Sequence, residues 1–239
     1  MKLAHIYRAI NEIRKLPRVE IRLWGDDLTR HIYQNFTQPH PRYKLIRHKT
    51  MGVALVKLPA TFQEYLAGKP KQALRTNRKH TQNGGYSFKS FCPMERIEEI
   101  LEINKSSPVR QGREMHASYT NIKGVKEFAA NKTSIYGVFN REGILRAYAY
   151  TPICGEVFIF SRLLGHMDDL ETGTMYLLVS EVMREMIDVK RQTGNPRWGM
   201  YDTFFGAAPG LRYFKQRLGF QPHIVKWRWV DQEPTGEDK

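Results

Sequence analysis

The chain has 239 residues, 41% of them hydrophobic and 12% aromatic, which is enough to bury a core without metals or disulfides. Its formal net charge of +14 favours anionic partners such as RNA, nucleotides or acidic membrane surfaces. Cys92 and Cys154 show no C-x-x-C and no His/Cys ligand spacing, so neither a disulfide framework nor a zinc site is supported, and a reducing, cytoplasmic setting is expected. No stretch reaches about 18 uncharged apolar residues, and the charges in "MKLAHIYRAINEIRK" interrupt any signal-peptide core.

Lys2 to Leu16 places Leu3, Ile6, Tyr7, Ile10, Ile13 and Leu16 at helical spacing and stops at Pro17. "VEIRLWG" alternates as a strand, "TQPHPRY" is a loop, and "YKLIRHKTMGVALVKLP" reads as two short strands or one bent one. Thr61 is the expected cap of a short helix, "TFQEYLAG", and a strongly basic helix in "KPKQALRTNRKHTQNGG" ends at Gly84-Gly85. A strand, "YSFKSF", leads to a helix from Met94 to Asn104 that turns Ile97, Ile100, Leu101 and Ile103 inward. A polar linker, "KSSPVRQGREMHASY", and a helix from Ile122 to Asn131 come next.

In "SIYGVFNREGILRAYAYTPICGEVFIFSRLLG" three apolar runs are broken at Asn140 to Gly143 and at Pro152 to Gly155, which predicts a three-stranded meander. Met175, Leu178, Val179, Val182, Met183 and Met186 mark a helix over Thr174 to Val189. A strand "RWGMYD", a small-residue loop, a helix from Leu211 to Leu218 and a strand "HIVKWRWV" complete a β-β-β-α-β-α-β order. A meander followed by βαβ makes a mixed sheet, and a parallel pair that splays leaves a cleft at the strand ends.

That order, closed by "GLRYFKQRLGF", resembles the GNAT acyltransferase superfamily over Ser134 to Val230. "ATFQEYLAGKPKQALRTNRKHTQNGGYSF" resembles the opening of the catalytic domain in its FemABX-type branch, and Asp202, Gly210, Phe214-Lys215 and Gly219 match that branch's ending. The resemblance implies a GNAT-like α/β (α+β) fold: a mixed, largely antiparallel sheet with flanking helices over residues 61–232. An N-terminal segment over 1–60, either accessory or a truncated GNAT-like half, would precede it, and a frayed tail over 233–239 would follow. It implies an N-acyltransferase passing an aminoacyl group from aminoacyl-tRNA to an amine, without cofactor or metal. Acyl-CoA as donor, and a non-catalytic RNA-binding or regulatory role on the same scaffold, are the alternatives.

The stretch "DDLETGTMYLL" stands where a CoA-binding relative carries its pyrophosphate loop. Asp168, Asp169 and Glu171 suit capping of the helix that follows and would repel a pyrophosphate there. Lys215 occupies a position where many relatives carry a Tyr, and the resemblance implies that it stabilises negative charge at the ester carbonyl or leaving oxygen. Helical spacing sets it over Leu211 and Leu218 on the margin of the buried face, where a Lys stem running along the core edge would also lie. Asp202 is the candidate for binding or deprotonating the amine, and Tyr201 and Phe214 are candidate substrate contacts. Arg110 and Arg113 supply planar donors for a phosphate or carboxylate. Glu156 is a weaker general-base candidate, and Ser161 and His166 lack an orienting third group. Lys69, Lys71, Arg75, Arg78 and Lys79 are the expected tRNA contacts, by charge alone because no aromatic residues interleave with them.

Overall fold

The chain is described as a computed structural model covering residues 13–41, 44, 46–110, 113–205 and 207–234; of Arg113 only the backbone is described. Most of the expected first helix and the end of the tail lie outside these residues. Strands β1 (Arg18–Leu23), β2 (Met51–Lys57), β8 (Ile153–Cys154), β9 (Val157–Ile159), β11 (Trp198–Thr203) and β12 (Gln221–Trp229) form one six-stranded sheet in the order β1-β12-β2-β11-β9-β8. A four-stranded antiparallel sheet has the order β10 (Arg162–Gly165), β7 (Leu145–Tyr150), β6 (Ile135–Phe139), β3 (Ser87–Phe91). The strands of the 1–60 segment are therefore paired inside the same sheet as β11 and β12, with β2 antiparallel to both.

The six-stranded sheet curls until its two edges meet. Across the gap between β1 and the β8–β9 turn, the Glu156 N–H donates to Arg22 O at 3.0 Å. The Glu156 carboxylate in turn accepts from Arg22 N and Nη2, both at 2.8 Å. Gly155, at φ +61°, allows this closure, since a Cβ there would stand 2.6 Å from Arg22 O. Inside the curl, Ile21, Leu23, Val53, Leu55, Val157 and Val225 pack with Phe36 of helix α1 (Asp27–Thr37).

Helix α1 was not anticipated, although its cap is regular: Asp26 Oδ1 accepts from Thr29 N at 2.9 Å. The "YKLIRHKTMGVALVKLP" run supplies only β2 as a named strand, with a single Pro39–Arg47 bridge ahead of it. Helix α2 (Phe62–Leu66) is capped by Thr61, and the basic run forms a 3₁₀ turn, Lys69–Lys71, leading into α3 (Gln72–Asn83). Helices α4 (Ile97–Lys105), α5 (Ala117–Thr120) and α6 (Ile122–Ala130) follow, and a small hairpin, β4 (Val109–Arg110) with β5 (Arg113–Glu114), interrupts the polar linker. Helix α7 (Thr174–Thr193) buries Leu178, Val179, Val182, Met183 and Met186, while α4 and α6 bury Ile100, Ile103, Val125 and Phe128 against Tyr148 of β7. Helix α8 (Pro209–Arg217) sits between β11 and β12 in sequence.

The expected meander needs correction. Its third run is cut into β8, β9 and β10, of which only β10 stays antiparallel to β7; β9 pairs in parallel with β11 in the other sheet. Phe160 is the point of exchange, where its N–H still donates to Met200 O at 2.9 Å. One residue later, Ser161 N donates to Tyr150 O at 3.0 Å. Periodicity could not reveal this, because a strand buried in either sheet shows the same apolar run.

Candidate active site

Beyond Phe160 and Met200 the parallel pair parts, and a cavity of 560 Å³ opens there, lined among others by Arg110, Tyr119, Ser161, Arg162, Tyr201 and Asp202. Tyr201 and Leu163 belong both to this wall and to the residues packed against the core beneath it, so they separate the cavity from the core. Tyr201 packs against Phe160 and Phe220 with ring centroids 5.7 and 5.9 Å apart. Burial pushes its phenol well above the usual range, and the neighbouring Asp202 charge adds to this.

Asp202 departs from regular strand geometry. Its φ is +50°, and the β11–β2 register shifts between Met200 and Thr203. A left-handed residue at a bulge re-aims its side chain out of the ladder, and Asp tolerates that conformation better than most residues. Its carboxylate is 59% exposed at the cleft and pairs with Lys49, a cation that the sequence did not single out.

Lys215 is only 1% exposed. Its Nζ donates to Thr203 O at 2.8 Å and stands 4.5 Å from the Tyr201 ring centroid. It lies behind Tyr201 rather than on the cleft wall. Burial lowers its pKa to about 8; Asp202 raises it and Lys49 lowers it further. Phe214 meets Tyr176 edge-on at 4.9 Å against the core beneath α7, away from the 560 Å³ cavity.

Arg110 reaches the cleft from the hairpin. Its Nη2 donates to Ile103 O at 2.8 Å, and to Ser106 Oγ and Gly165 O at 3.1 Å. The wall also carries Arg162, whose guanidinium lies 3.8 Å from the Phe128 ring centroid and 4.1 Å from that of Tyr119. The signal for Arg162 was present: a lone cation in the apolar run "FIFSRLLG". The structure brings Asp202, Tyr201 and Arg110 together and leaves the Arg113 side chain undescribed.

Glu156 is spent on closing the curled sheet and stands in an ion pair with Arg22, so it is not a base at the cleft. Ser161 lines the cavity, whereas His166 Nδ1 accepts from Arg146 Nη2 at 2.9 Å elsewhere. The acids before α7 do not cap it. Gly173 is the N-cap and makes no side-chain cap bond. Asp169 instead accepts from Arg146 and, at 2.5 Å, from the Tyr86 hydroxyl. Helix α3 closes over this helix start. Thr81 Oγ1 donates to Thr172 O at 2.7 Å, and a Cβ on Gly173 would meet Asn77 Cβ at 3.0 Å.

The basic run divides by use. Lys71 Nζ and the Tyr65 hydroxyl both donate to Leu218 O, at 2.5 and 3.0 Å, satisfying the end of α8, and burial lowers the Lys71 pKa to about 8. Arg75 bonds Leu66 O at 2.5 Å and Gly68 O at 2.9 Å, and Arg78 pairs with buried Glu181 at 2.5 Å. Lys69 and Lys79 are exposed.

The fold is mixed α/β, with curled, splayed sheets and flanking helices. Among solved structures, the chain is similar to L-PGS from Bacillus licheniformis, with 15% identity and a TM-score of 0.51 over 72% of this chain. The chain spans 58% of that protein's length. It also aligns with a conserved protein of unknown function from Bacteroides thetaiotaomicron, at 13% identity and TM-score 0.48 over 73% of this chain and 60% of that one. A tandem GNAT protein from the clavulanic acid biosynthesis pathway matches at 15% identity and TM-score 0.42, over 73% of this chain and 50% of that one. No family model matches the sequence, and no curated protein matches it. Among the described residues no helix is long and apolar enough to cross a membrane, and no group of three or more His, Cys, Asp or Glu residues could hold a metal.

Proposed function

We propose that the protein is an N-acyltransferase that forms an amide by transferring an aminoacyl group from aminoacyl-tRNA to an amine. The observation that carries this reading is the cavity wall at Tyr201. Asp202 and Arg110 line the cavity beside Tyr201, and Lys215 stands directly behind the ring. The amine and the ester meet in the cavity beside Asp202. Asp202 exchanges its Lys49 partner for the amine and takes its proton, and the nitrogen attacks the ester carbonyl. The C–N bond forms, the ester C–O bond breaks, and the ribose oxygen leaves with a proton. Among the described residues Lys215 Nζ donates one hydrogen bond, to Thr203 O, and a turn of the Tyr201 ring that covers it would let its remaining ammonium hydrogens reach the oxyanion. A preorganised cation of this kind lowers such a barrier by about 2 to 4 kcal/mol.

Closure of α3 over the start of α7 supports the tRNA donor over acyl-CoA, because a pyrophosphate needs those helix N–H groups open. Incubation with labelled aminoacyl-tRNA and, separately, with labelled acetyl-CoA tests this. RNase-sensitive transfer to an amine is expected; turnover indifferent to RNase and saturable by acetyl-CoA would overturn the donor assignment.

A further inference from the structure

The cleft wall holds more positive charge than it neutralises. Lys49 is matched by Asp202. Among the described residues Arg110 bonds two carbonyl oxygens and one hydroxyl, and its Nε is buried with no hydrogen-bond partner. Arg162 lies between aromatic rings, beside the Tyr148 hydroxyl, with its Nη1 likewise buried and without a partner. Among the described residues neither guanidinium has an acidic partner. Glu114, the other acid on the wall, is exposed and pairs with neither. Burial and, next, the Arg162 charge hold the Lys132 pKa below its usual range. Half-buried cations without a counter-ion are costly, and proteins normally pair them. Arg162 is also held flat by its rings, so its fork keeps one orientation, as recognition of a planar or tetrahedral oxyanion requires.

We propose that Arg110 and Arg162 are the seat of an oxyanion, and that the acceptor is an amine which also carries a carboxylate or phosphate group. This rests on the assignment of the cavity as the acceptor site of the transferase. The apolar part of the wall, including Phe36, Met115 and Ile159, takes the body of the molecule between its two polar ends.

Calorimetric titration of the wild-type protein with paired ligands tests the proposal. The pairs are glycyl-phenylalanine against its C-terminal amide, and phosphoethanolamine against ethanolamine. Tighter binding of the charged member by about tenfold is expected in one pair, and which pair responds tells carboxylate from phosphate. Arg162→Gln should bring the responding pair to within about twofold, and Arg162→Lys should restore only part of the preference. Charged and neutral members binding alike in both pairs would overturn the proposal, as would an unchanged preference in a folded Arg162→Gln protein. Discrimination without amide product from either donor would keep the oxyanion site and remove the transferase. Equal transfer to charged and neutral amines would do the reverse.

Discussion

The Lys215 ammonium donates to the carbonyl of Thr203 at 2.8 Å while lying over the ring of Tyr201, so one buried cation joins α8 to the end of β11 behind the cleft wall. Its pKa near 8 lies below that of a free lysine, so the unfolded chain binds more protons than the folded one between pH 8 and about 10.4. Stability from this group is therefore complete above the unfolded value and lost as pH falls through 8, and Lys71 acts in the same direction. The raised phenols of Tyr65 and Tyr201 act oppositely, favouring the folded state below their unfolded value near 10. Melting temperature should climb from pH 7.5 to about 9.5, and Lys215→Met should flatten part of that climb. Transfer activity, which requires the charged form, should fall as pH rises through 8, and Lys215→Met should lower kcat by roughly 30- to 1,000-fold.

Asp202 combines an unusual backbone with an exposed carboxylate. Asp202→Asn tolerates the same φ, so its unfolding free energy should stay within about 0.5 kcal/mol of wild type while transfer to the amine is lost. Asp202→Gly should relieve about 1 kcal/mol of strain and be equally inactive. Urea unfolding alongside a rate assay reads both, and a fully active Asp202→Asn protein would remove the base assignment.

The basic run separates structural cations from available ones. Lys69→Ala with Lys79→Ala should leave melting unchanged, weaken tRNA binding and reduce the salt slope of the binding constant by about 1 to 2. Lys71→Met should instead disturb the Leu218 carbonyl, with a cost of about 1 kcal/mol. Filter binding across a salt series checks the first, and an unchanged slope would place the tRNA elsewhere on the protein.

Closure of the curled sheet depends on Glu156 and Arg22, whose side chains are 7% and 20% exposed. Glu156→Ala leaves Arg22 without its main partner and should cost about 3 kcal/mol. Gly155→Ala, strained at φ +61° and set against Arg22 O, should cost at least as much. Equilibrium denaturation measures both.

Much of the architecture could be read from local pattern. The Thr61 cap, the basic helix ending at Gly84, the α4 and α6 cores and the apolar period of α7 are all short-range signals, and each element forms where that signal lies. Helix α1 was legible too, since Ile32, Tyr33 and Phe36 follow an Asp26 cap, but polar residues between them masked the period. The candidate site was half legible. Asp202, Tyr201 and Arg110 carry type and position in the sequence, whereas Lys49 and Arg162 join them only across the fold.

What the sequence determined by itself was the identity and order of most elements, the excess of positive charge and the lysine placed on the rim of a buried helix face. Tertiary structure decided the rest: that one apolar run changes sheets at Phe160, that Glu156 closes a curl instead of serving a cleft, and that Lys71 and Arg78 are held by internal partners. The physical reason is range. Caps and periods depend on residues a few positions apart, while sheet exchange and charge pairing depend on partners more than a hundred residues away, as with Arg22 and Glu156 or Arg78 and Glu181.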